Sequence, residues 1–374
     1  MVYTKISIKI KKIMAKVVII LVGFLLLIFG YFLSHLYIVN FLNRHLALNN
    51  YKNLVKFIFV LMFSVSFLSL ILRAVVVPDA VLKTIYFFGF YWMGIVIIFV
   101  SYCVIGDFIS FLFLKGSNKY IGLGVLLVSL ISSTLATYRG IKMSKIKQIV
   151  VDLDGNNSFR IVYLSDLHLD FKYKNKIAIE LFNKIKNIDP QILIFGGDMF
   201  DPGFVYDVKL EETIKKIYST KIAVLGNHDY YFGIEKSKRI FEQFGFIVLQ
   251  NTSFEIENVN IIGLGDIRTE NLHKEEIVSI INNNYKTGKL NIVVSHQPLF
   301  FDELSKNFDI MMLSGHTHNG QIFPFHIFTR IFYKYLYGLF RKNKSTLYVT
   351  SGAGVWGPPM RFLSSSEVVV IDIL

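Results

Sequence analysis

The sequence predicts two unlike regions, a set of four membrane-spanning helices within residues 1–147 and an α/β sandwich over residues 148–374. The chain is 53% hydrophobic and has a mean hydropathy of +0.48, which is too apolar for a soluble protein of ordinary composition. Long apolar runs fill the first region, whereas short apolar runs alternate with amphipathic, Lys-rich stretches in the second. Such alternation is typical of strands and helices in an α/β domain.

The four predicted spans cover residues 17–38, 54–72, 85–104 and 121–137. Each run has about 17 to 22 residues, which lets a helix cross a hydrocarbon core of roughly 30 Å. The first run follows a Lys-rich stretch, as a secretory signal does, but it is long for a signal and lacks a convincing cleavage site. We therefore expect it to remain on the protein.

The positive charge lies almost entirely in the apolar region. Residues 1–147 contain 16 Lys and Arg against 2 Asp and Glu, whereas residues 148–374 contain 24 against 25. Basic residues beside apolar spans are typical of topology signals and of contact with anionic lipid, so we expect no nucleic-acid partner. The flank before residue 17 and the segment 139–147 are more basic than the loops, which predicts a multi-pass protein of the inner or plasma membrane with its C-terminal domain in the cytoplasm. A miscount of one span would reverse that orientation.

Few polar residues interrupt the spans. Those in or near them are His35, Arg73, Asp79, Lys83 and Asp107. All five lie close to predicted span ends, which favours snorkelling to the interface over a functional role. Cys103 is the single cysteine, so an intramolecular disulfide and a thiolate metal cluster are both excluded.

In the second region, the stretch FIVLQNTSFEIENVNIIGLGD predicts two or three strands, including a hairpin at the edge or start of a second sheet. Five other apolar runs each predict a buried strand followed by a polar turn. The turns contain DLH (166–168), GGD (196–198), GNHD (226–229), SHQP (295–298) and GHTH (315–318). Each string alone is more often a turn or a helix cap. Together they hold five of the nine histidines, and each follows a strand, where ligands gather in open α/β sheets.

The ordered set D-x-H, G-D, G-N-H-D, H and G-H-x-H resembles the calcineurin-like metallophosphoesterase superfamily over roughly residues 150–374. The segments GHTHNGQI and SGAGVWGPPMRF, with the preceding helices, are similar to a membrane-associated bacterial branch. That branch includes enzymes that cleave the pyrophosphate of UDP-2,3-diacylglucosamine in lipid A synthesis. The resemblance implies an α/β/β/α sandwich and a metal-dependent hydrolase of phosphoric esters or pyrophosphates.

The resemblance also implies a site with two divalent metal ions. Asp166, His168 and His318 would hold one ion, Asn227, His296 and His316 the other, with Asp198 between them. Oxygen and imidazole ligands suit Mn, Fe or Zn, and the sequence does not choose among them. His228 would stabilise the transition state or protonate the leaving oxygen, and Asp229 would orient it.

Departures from the superfamily narrow the substrate. Its protein Ser/Thr phosphatases carry GDxVDRG and RGNHE, whose arginines grip a phosphate monoester. Pro202 and Leu225 stand at those positions here, which disfavours protein substrates. Asn319 stands where the membrane-associated branch usually has Gly.

The segment 323–344 has aromatic residues interleaved with Arg330, Lys334, Arg341 and Lys342. This texture predicts a surface in the lipid head-group region that feeds an amphiphilic substrate to the site. A nucleic-acid stacking surface and a buried helix with a basic face are the alternatives.

The sequence thus favours a membrane-anchored phosphoesterase that acts on a phosphodiester or pyrophosphate in a nucleotide-linked lipid such as UDP-2,3-diacylglucosamine, with the bilayer as its partner. One alternative is a phosphodiesterase for soluble or cyclic nucleotides. The other is a membrane sensor or transport accessory whose phosphoesterase half is regulatory.

Overall fold

The computed structural model describes residues 2–48, 50–72, 79–114, 116, 118–142, 144–151, 159–170 and 172–373. Arg73 and the side chains of Asp79, Lys83 and the lysines before residue 17 lie outside that description. The chain forms two units, Met1–Leu72 with Thr84–Ile131 and Arg73–Lys83 with Ser132–Leu374. The division at residue 147 stays a prediction.

Four long helices dominate the first part of the chain: α1 (Val2–Leu46), α2 (Lys52–Leu72), α3 (Asp79–Ile109) and α4 (Lys119–Ile141). Each contains a stretch that is long and apolar enough to cross a membrane, namely Val22–Leu46, Lys52–Ser69, Thr84–Phe113 and Lys119–Ile141. The predicted number of four such helices is confirmed. The first stretch ends at Leu46, beyond the predicted end at residue 38.

His35 consequently lies in the middle of the first stretch, and its predicted place near a span end is wrong. Its Nδ1 lies 2.8 Å from the Tyr31 carbonyl oxygen, and its Nε2 lies 2.9 Å from Trp92 Nε1. Asp107 accepts hydrogen bonds from Tyr37 Oη and Arg44 Nη2, both at 2.6 Å. A paired polar group costs far less inside an apolar helix bundle than an unpaired one, so α1 continues through residues that its hydropathy alone would exclude.

The second unit contains two six-stranded sheets. In chain order its strands are β1 (Lys145–Val151), β2 (Phe159–Leu164), β3 (Ile192–Phe195), β4 (Thr220–Ala223), β5 (Ile247–Val248), β6 (Thr252–Ile256), β7 (Val259–Gly263), β8 (Leu290–Val294), β9 (Met311–Ser314), β10 (Gly338–Lys342), β11 (Ser345–Val349) and β12 (Glu367–Ile373). The first sheet has the order β1-β12-β2-β3-β4-β5, and the second has the order β10-β11-β9-β8-β7-β6. The predicted hairpin is β6 with β7, at one edge of the second sheet.

The remaining helices of this unit are α5 (Lys172–Ile188), α6 (Val208–Lys215), α7 (Asn227–Phe232), α8 (Ile234–Gln243), α9 (Lys274–Asn284), α10 (Phe301–Asn307) and α11 (Phe325–Phe332). Side chains alternate along each strand, so β2 sends Ile161 and Tyr163 into the core between the sheets and Val162 and Leu164 into the core beneath α5 and α6. A third core joins the second sheet to α9 and α10. The predicted α/β/β/α sandwich is confirmed.

Candidate metal centre

All seven predicted metal ligands lie just beyond the carboxyl ends of parallel strands. β2, β3 and β4 run parallel in the first sheet, and β8 and β9 run parallel in the second. Asp166 and His168 follow β2, Asp198 follows β3, Asn227 follows β4, His296 follows β8, and His316 and His318 follow β9. Ligands of each predicted ion come from both sheets, so the site exists only when the two sheets pack together.

The first predicted ligand set is assembled as expected. Ligand atoms of Asp166, His168 and His318 lie within 4.8 Å of one another. Nε2 of His168 is 2.9 Å from Nε2 of His318, and Asp166 Oδ1 is 3.6 Å from the same His318 atom. All three residues are buried.

The second set is likewise assembled around Asp198. Its Oδ2 lies 3.1 Å from His296 Nε2, which in turn lies 3.2 Å from His316 Nδ1. The same carboxylate oxygen is 3.7 Å from His168 Nε2 in the first set. One oxygen of Asp198 therefore faces both groups, as the predicted position between two ions requires.

These residues fit two divalent cations. Two imidazole nitrogens can approach to about 3 Å only if a proton or a cation lies between them, and this arrangement occurs twice in the site. Asn227 Oδ1 is buried and finds no hydrogen-bond donor among the described residues. Oxygen and imidazole donors without sulfur suit Mn, Fe or Zn. We propose that the seven residues hold the ions.

Several ligands are oriented by partners that the sequence did not reveal. His296 Nδ1 lies 2.9 Å from the Gly196 carbonyl oxygen, which leaves Nε2 facing the site. His316 Nε2 lies 2.7 Å from Tyr333 Oη, which leaves Nδ1 facing the site. Outer hydrogen bonds of this kind fix the tautomer and the ring plane of a metal-binding histidine. Helix α11 separates Tyr333 from His316 in the sequence. A pattern of residues at strand ends therefore gives no signal for Tyr333.

Arg361, in the segment SGAGVWGPPMRF, is fully buried beside His318. Its guanidinium donates to the carbonyl oxygens of Ser351 and Gly354 at 2.7 and 2.6 Å, and to that of His318 at 3.2 Å. Its backbone N–H donates to the carbonyl oxygen of Ala136 in α4 at 2.8 Å. Arg361 thus connects the loop of the last ligand to the final turns of α4.

The backbone of the site is strained. Asp166, Asp198 and His316 have φ angles of 58°, 59° and 67°, and His168 and His318 have φ angles of 50° and 49°. Non-glycine residues adopt this left-handed region at a cost of order 1–3 kcal/mol each, and such outliers concentrate at functional sites. Gly226 has a different constraint, because a Cβ there would lie 2.3 Å from Asp198 Oδ1. The chain stores strain where the ligands converge.

His228 belongs to neither predicted ligand set, but with His168 and Asp201 it forms a third group whose possible ligand atoms lie within 4.8 Å of one another. Its ring is perpendicular to that of His168, with centroids 4.7 Å apart, and its Nδ1 contacts Asp201 Oδ1. Burial disfavours the charged imidazole, but the hydrogen bond that it donates to Asp201 and the charge of Asp198 outweigh burial and raise the pKa of His228. His228 Nδ1 is therefore engaged, and Nε2 is the atom left for a substrate.

The carboxylate that contacts the His228 ring is that of Asp201, not that of Asp229, for which an orienting role was predicted. Asp229 is buried, and its carboxylate accepts hydrogen bonds from four backbone N–H groups, those of Asp198, Met199, Phe200 and Gly226. It therefore holds the two loops that carry Asp198 and Asn227 in register. The predicted catalytic role of Asp229 stays a proposal in this indirect form. Asp201 stands three residues after Asp198 in GGDMFD, a spacing that could have signalled it.

Burial and neighbouring charges shift the pKa values in this cluster in opposite directions. Burial and the charge of Asp198 raise the pKa of Asp166, whereas burial and the neighbouring His296 lower the pKa of His316 to about 3. Burial opposes the charged form of His296, but Asp198 raises its pKa to about 10. Imidazoles and carboxylates that compete for protons in a dry site form the setting in which a divalent cation replaces them.

Comparison with known proteins also indicates a phosphoesterase. A family model for calcineurin-like phosphoesterases matches residues 159–320, which contain all seven predicted ligands. A metallophosphoesterase of Campylobacter jejuni is 29% identical over 380 residues, covering 93% of this chain and 96% of that protein. The Bacillus subtilis protein YpbG is 31% identical over 210 residues, covering 53% of this chain and 77% of that protein. A Danio rerio transmembrane protein with a metallophosphoesterase domain is 28% identical over 235 residues, covering 58% and 53%.

These matches, with the convergence of five strand-end motifs on one buried cluster, assign the chain. It belongs to the calcineurin-like metallophosphoesterases and is a metal-dependent phosphoester hydrolase.

Proposed function

We propose that this protein is a membrane-anchored hydrolase of the phosphodiester or pyrophosphate bond in an amphiphilic, lipid-linked substrate, for which UDP-2,3-diacylglucosamine is the specific candidate. The catalytic half would work at the cytoplasmic face, as the charge distribution of the sequence predicts. The observation that supports an amphiphilic substrate is an exposed apolar surface beside the metal centre.

That surface consists of α11 with Trp356 and Leu363, and we call it the apolar rim. None of the eight residues of α11 is buried, which rules out the alternative of a buried helix with a basic face. Ile331 and Phe332 are 73% and 67% exposed. Apolar side chains so open to solvent on a short helix are typical of a helix that lies in the plane of a membrane interface.

The apolar rim reaches both the metal centre and a helix able to cross a membrane. The ring of Trp356 lies 5.7 Å from that of His228, between centroids. Leu363 accepts a hydrogen bond from His326 of α11 through its carbonyl oxygen. Arg361, two residues earlier, bonds to Ala136 of α4. A lipid-linked substrate could therefore rest its apolar part on the rim while its phosphate enters the site.

The residues of the site suit hydrolysis at phosphorus. Divalent ions, when bound, would activate water and neutralise charge on the phosphoryl oxygens. His228, protonated and oriented by Asp201, would hold its Nε2 proton toward the leaving oxygen and transfer it as the bond breaks. Asp198 would keep the two ligand sets at a fixed separation, and the buried shell would exclude bulk water.

The substrate class is tested with the full chain reconstituted in lipid nanodiscs with added Mn. We expect kcat/KM for UDP-2,3-diacylglucosamine to exceed that for cyclic AMP by about a hundredfold or more, because binding energy from the lipid part is used only by the former. Asp198→Asn serves as the inactive control. Faster turnover of cyclic AMP would favour a cyclic nucleotide phosphodiesterase. Metal-independent or absent hydrolysis of both compounds, and of an aryl phosphodiester, would favour the membrane sensor.

The orientation is tested separately by labelling. Tyr218 is 89% exposed in the catalytic half, and the single cysteine, Cys103, is buried in α3. In sealed inside-out vesicles we expect a membrane-impermeant maleimide to label Tyr218→Cys, and in right-side-out vesicles to leave it unlabelled. The reverse pattern would place the catalytic half outside.

A further inference from the structure

One exposed guanidinium stands at the edge of the site. It takes part in no step of the proposed hydrolysis. Arg268 is exposed in the loop after β7, and its Cζ lies 4.8 Å from the centroid of the Tyr333 ring. The hydroxyl end of that ring lies 2.7 Å from His316 Nε2. One aromatic ring therefore separates Arg268 from a proposed metal ligand.

The acidic neighbours of Arg268 do not form direct ion pairs with it. The local sequence, Asp266-Ile-Arg-Thr-Glu270, suggests ion pairs within the loop. Both carboxylates are instead bound to uncharged donors: Thr269 N and Gln297 Nε2 for Asp266, and Tyr230 Oη, Gln250 Nε2 and Asn251 Nδ2 for Glu270. Within the part of the chain that the structure describes, Arg268 forms no ion pair.

Further hydrogen bonds attach this loop to residues on both sides of the metal centre. Gly265 N donates to Asn251 Oδ1 at 3.0 Å, and Gln297, which follows the proposed ligand His296, lies 3.5 Å from Tyr333 Oη through its Oε1. Arg268 is thus mounted on a loop that is fixed to both sides of the metal centre. A guanidinium stacked on an aromatic ring keeps its N–H donors at the ring edge, in the plane that a bidentate oxyanion requires.

We propose that Arg268 forms an anion subsite that binds the second charged group of the substrate while the scissile phosphate lies at the metal centre. The ligand class is a diphosphate diester, whose two phosphates each carry one negative charge. This inference rests on the proposed phosphoesterase function. It adds a physical basis on which the site would distinguish a diphosphate diester from a simple phosphodiester. It also explains how a site with Pro202 and Leu225 in place of the phosphatase arginines still contains an arginine for phosphate.

The test compares two probes on the full chain in detergent with Mn. UDP-glucose carries two phosphates, and bis(p-nitrophenyl) phosphate carries one. For Arg268→Gln we expect the UDP-glucose concentration that halves hydrolysis of the aryl diester to rise about ten- to a hundredfold, the range for loss of a charged hydrogen-bond pair. The kcat and KM for the aryl diester should stay within about twofold of the parent. Arg268→Lys, which keeps the charge but not the fork, should fall between the two.

Arg239→Gln is the matched control, because Arg239 is exposed on α8, on the outer layer of the first sheet. It should leave both probes unchanged. Equal inhibition of the parent and Arg268→Gln by UDP-glucose would overturn the subsite, as would an equal loss for both probes, which would indicate a structural role through Tyr333. Direct binding of UDP-glucose by calorimetry separates the two proposals: Arg268-dependent binding without any diester hydrolysis would retain the subsite and reject the proposed function.

Discussion

The ligand cluster buries polar side chains, whereas the apolar rim exposes apolar ones. Both are the reverse of what most folded chains do. The cluster gathers three carboxyl or amide side chains and four imidazoles, most of them buried, and Asn227 Oδ1 has no hydrogen-bond donor there among the residues that the structure describes. The rim does the reverse, because it leaves phenylalanine, isoleucine and tryptophan side chains in contact with solvent. Polar groups that are buried and apolar groups that are exposed each raise the free energy of the folded chain.

From this comparison we infer that each region is completed by something that the polypeptide does not supply. For the cluster the missing component is cationic, since carboxylates and imidazoles converge on the same points. For the rim the missing component is apolar and extended, since the exposed side chains form a face rather than a pocket. Predictions can separate the two, because changes in the cluster should act on every substrate and changes in the rim only on amphiphilic ones.

The largest effect is expected for Asp198→Asn. The substitution keeps the side-chain volume but removes the charge from the oxygen that faces both ligand sets, 3.1 Å from His296 Nε2. We expect turnover of an aryl phosphodiester and of a lipid-linked substrate to fall together by about a thousandfold or more, with loss of bound metal measured by elemental analysis. Asp207→Asn, at the half-buried N-cap of α6, is the control. Normal metal content and turnover in Asp198→Asn would refute its position between the ions.

His228→Ala should be the next largest. Because His228 lies outside both ligand sets, the variant should keep its metal while turnover falls about a hundred- to ten-thousandfold, as for loss of a general acid. The measurement is turnover normalised to metal content. Turnover equal to that of the parent would remove His228 from the mechanism.

Substitutions of the two aspartates near His228 should have different effects, one on turnover and the other on stability. Asp201→Asn should reduce turnover about ten- to a hundredfold with little change in unfolding temperature, because it weakens the contact to His228 Nδ1 and the 3.4 Å contact to Nδ1 of the proposed ligand His168. Asp229→Asn should mainly lower stability, by about 1–3 kcal/mol, because an amide oxygen replaces a carboxylate that accepts from four backbone N–H groups. Thermal unfolding and steady-state kinetics on both variants decide the question. The reverse assignment of effects would restore the orienting role to Asp229.

On the rim, Ile331→Asp should reduce kcat/KM for a lipid-linked substrate in nanodiscs about tenfold and leave the aryl diester unchanged, because a charge at that position resists insertion into the leaflet. Tyr218→Asp is the control for an exposed aromatic residue away from the site. An equal loss for the soluble diester would mean that α11 acts on the fold rather than on the lipid.

The smallest effect concerns the attachment of the segment after α11. Asp302 of α10 contacts Lys334, Lys342 and Tyr335. Burial opposes its charged form, but these contacts lower the pKa of Asp302 below that of the unfolded chain. Its contribution is therefore present above about pH 4 and is lost as the pH falls. Asp302→Asn should lower the free energy of unfolding by less than about 1 kcal/mol at pH 7 and flatten its dependence between pH 4 and 2. Identical pH profiles for the two proteins would contradict this.

The sequence predicted the elements that local pattern determines. Strands buried on both faces show as continuous apolar runs, and ligands such as Asp166 and His296 directly follow them, so both the sheet edges and the cluster could be inferred. The place of β12 could not, because the pairing of Glu367–Ile373 between β1 and β2 is a contact across more than two hundred residues. The contacts of Tyr333 and Arg268 depend on loop conformation for the same reason. The end of the first span was missed because polar residues follow residue 38, and hydropathy does not register that Arg44 and His45 are paired with Asp107.

Arg268 and Asp201 show the limit most directly. Each is one charged residue in a polar turn, and the sequence alone offers ion pairing with a neighbour as the simpler expectation. Only the folded loops show that Asp201 meets a histidine and that Arg268 meets an aromatic ring. Functional side chains that act through a partner on another loop are thus the ones that motif reasoning overlooks.

The proposed ligands also span the chain from residue 166 to residue 318, and they come from both sheets. A chain with one cysteine cannot form an internal disulfide, yet two ions held in this way would join segments that are about 150 residues apart. Ions that bind only the packed sandwich stabilise it by mass action, so metal supply would set the lifetime of the fold as well as the rate of hydrolysis. Metal loading would then be a step in the maturation of this protein.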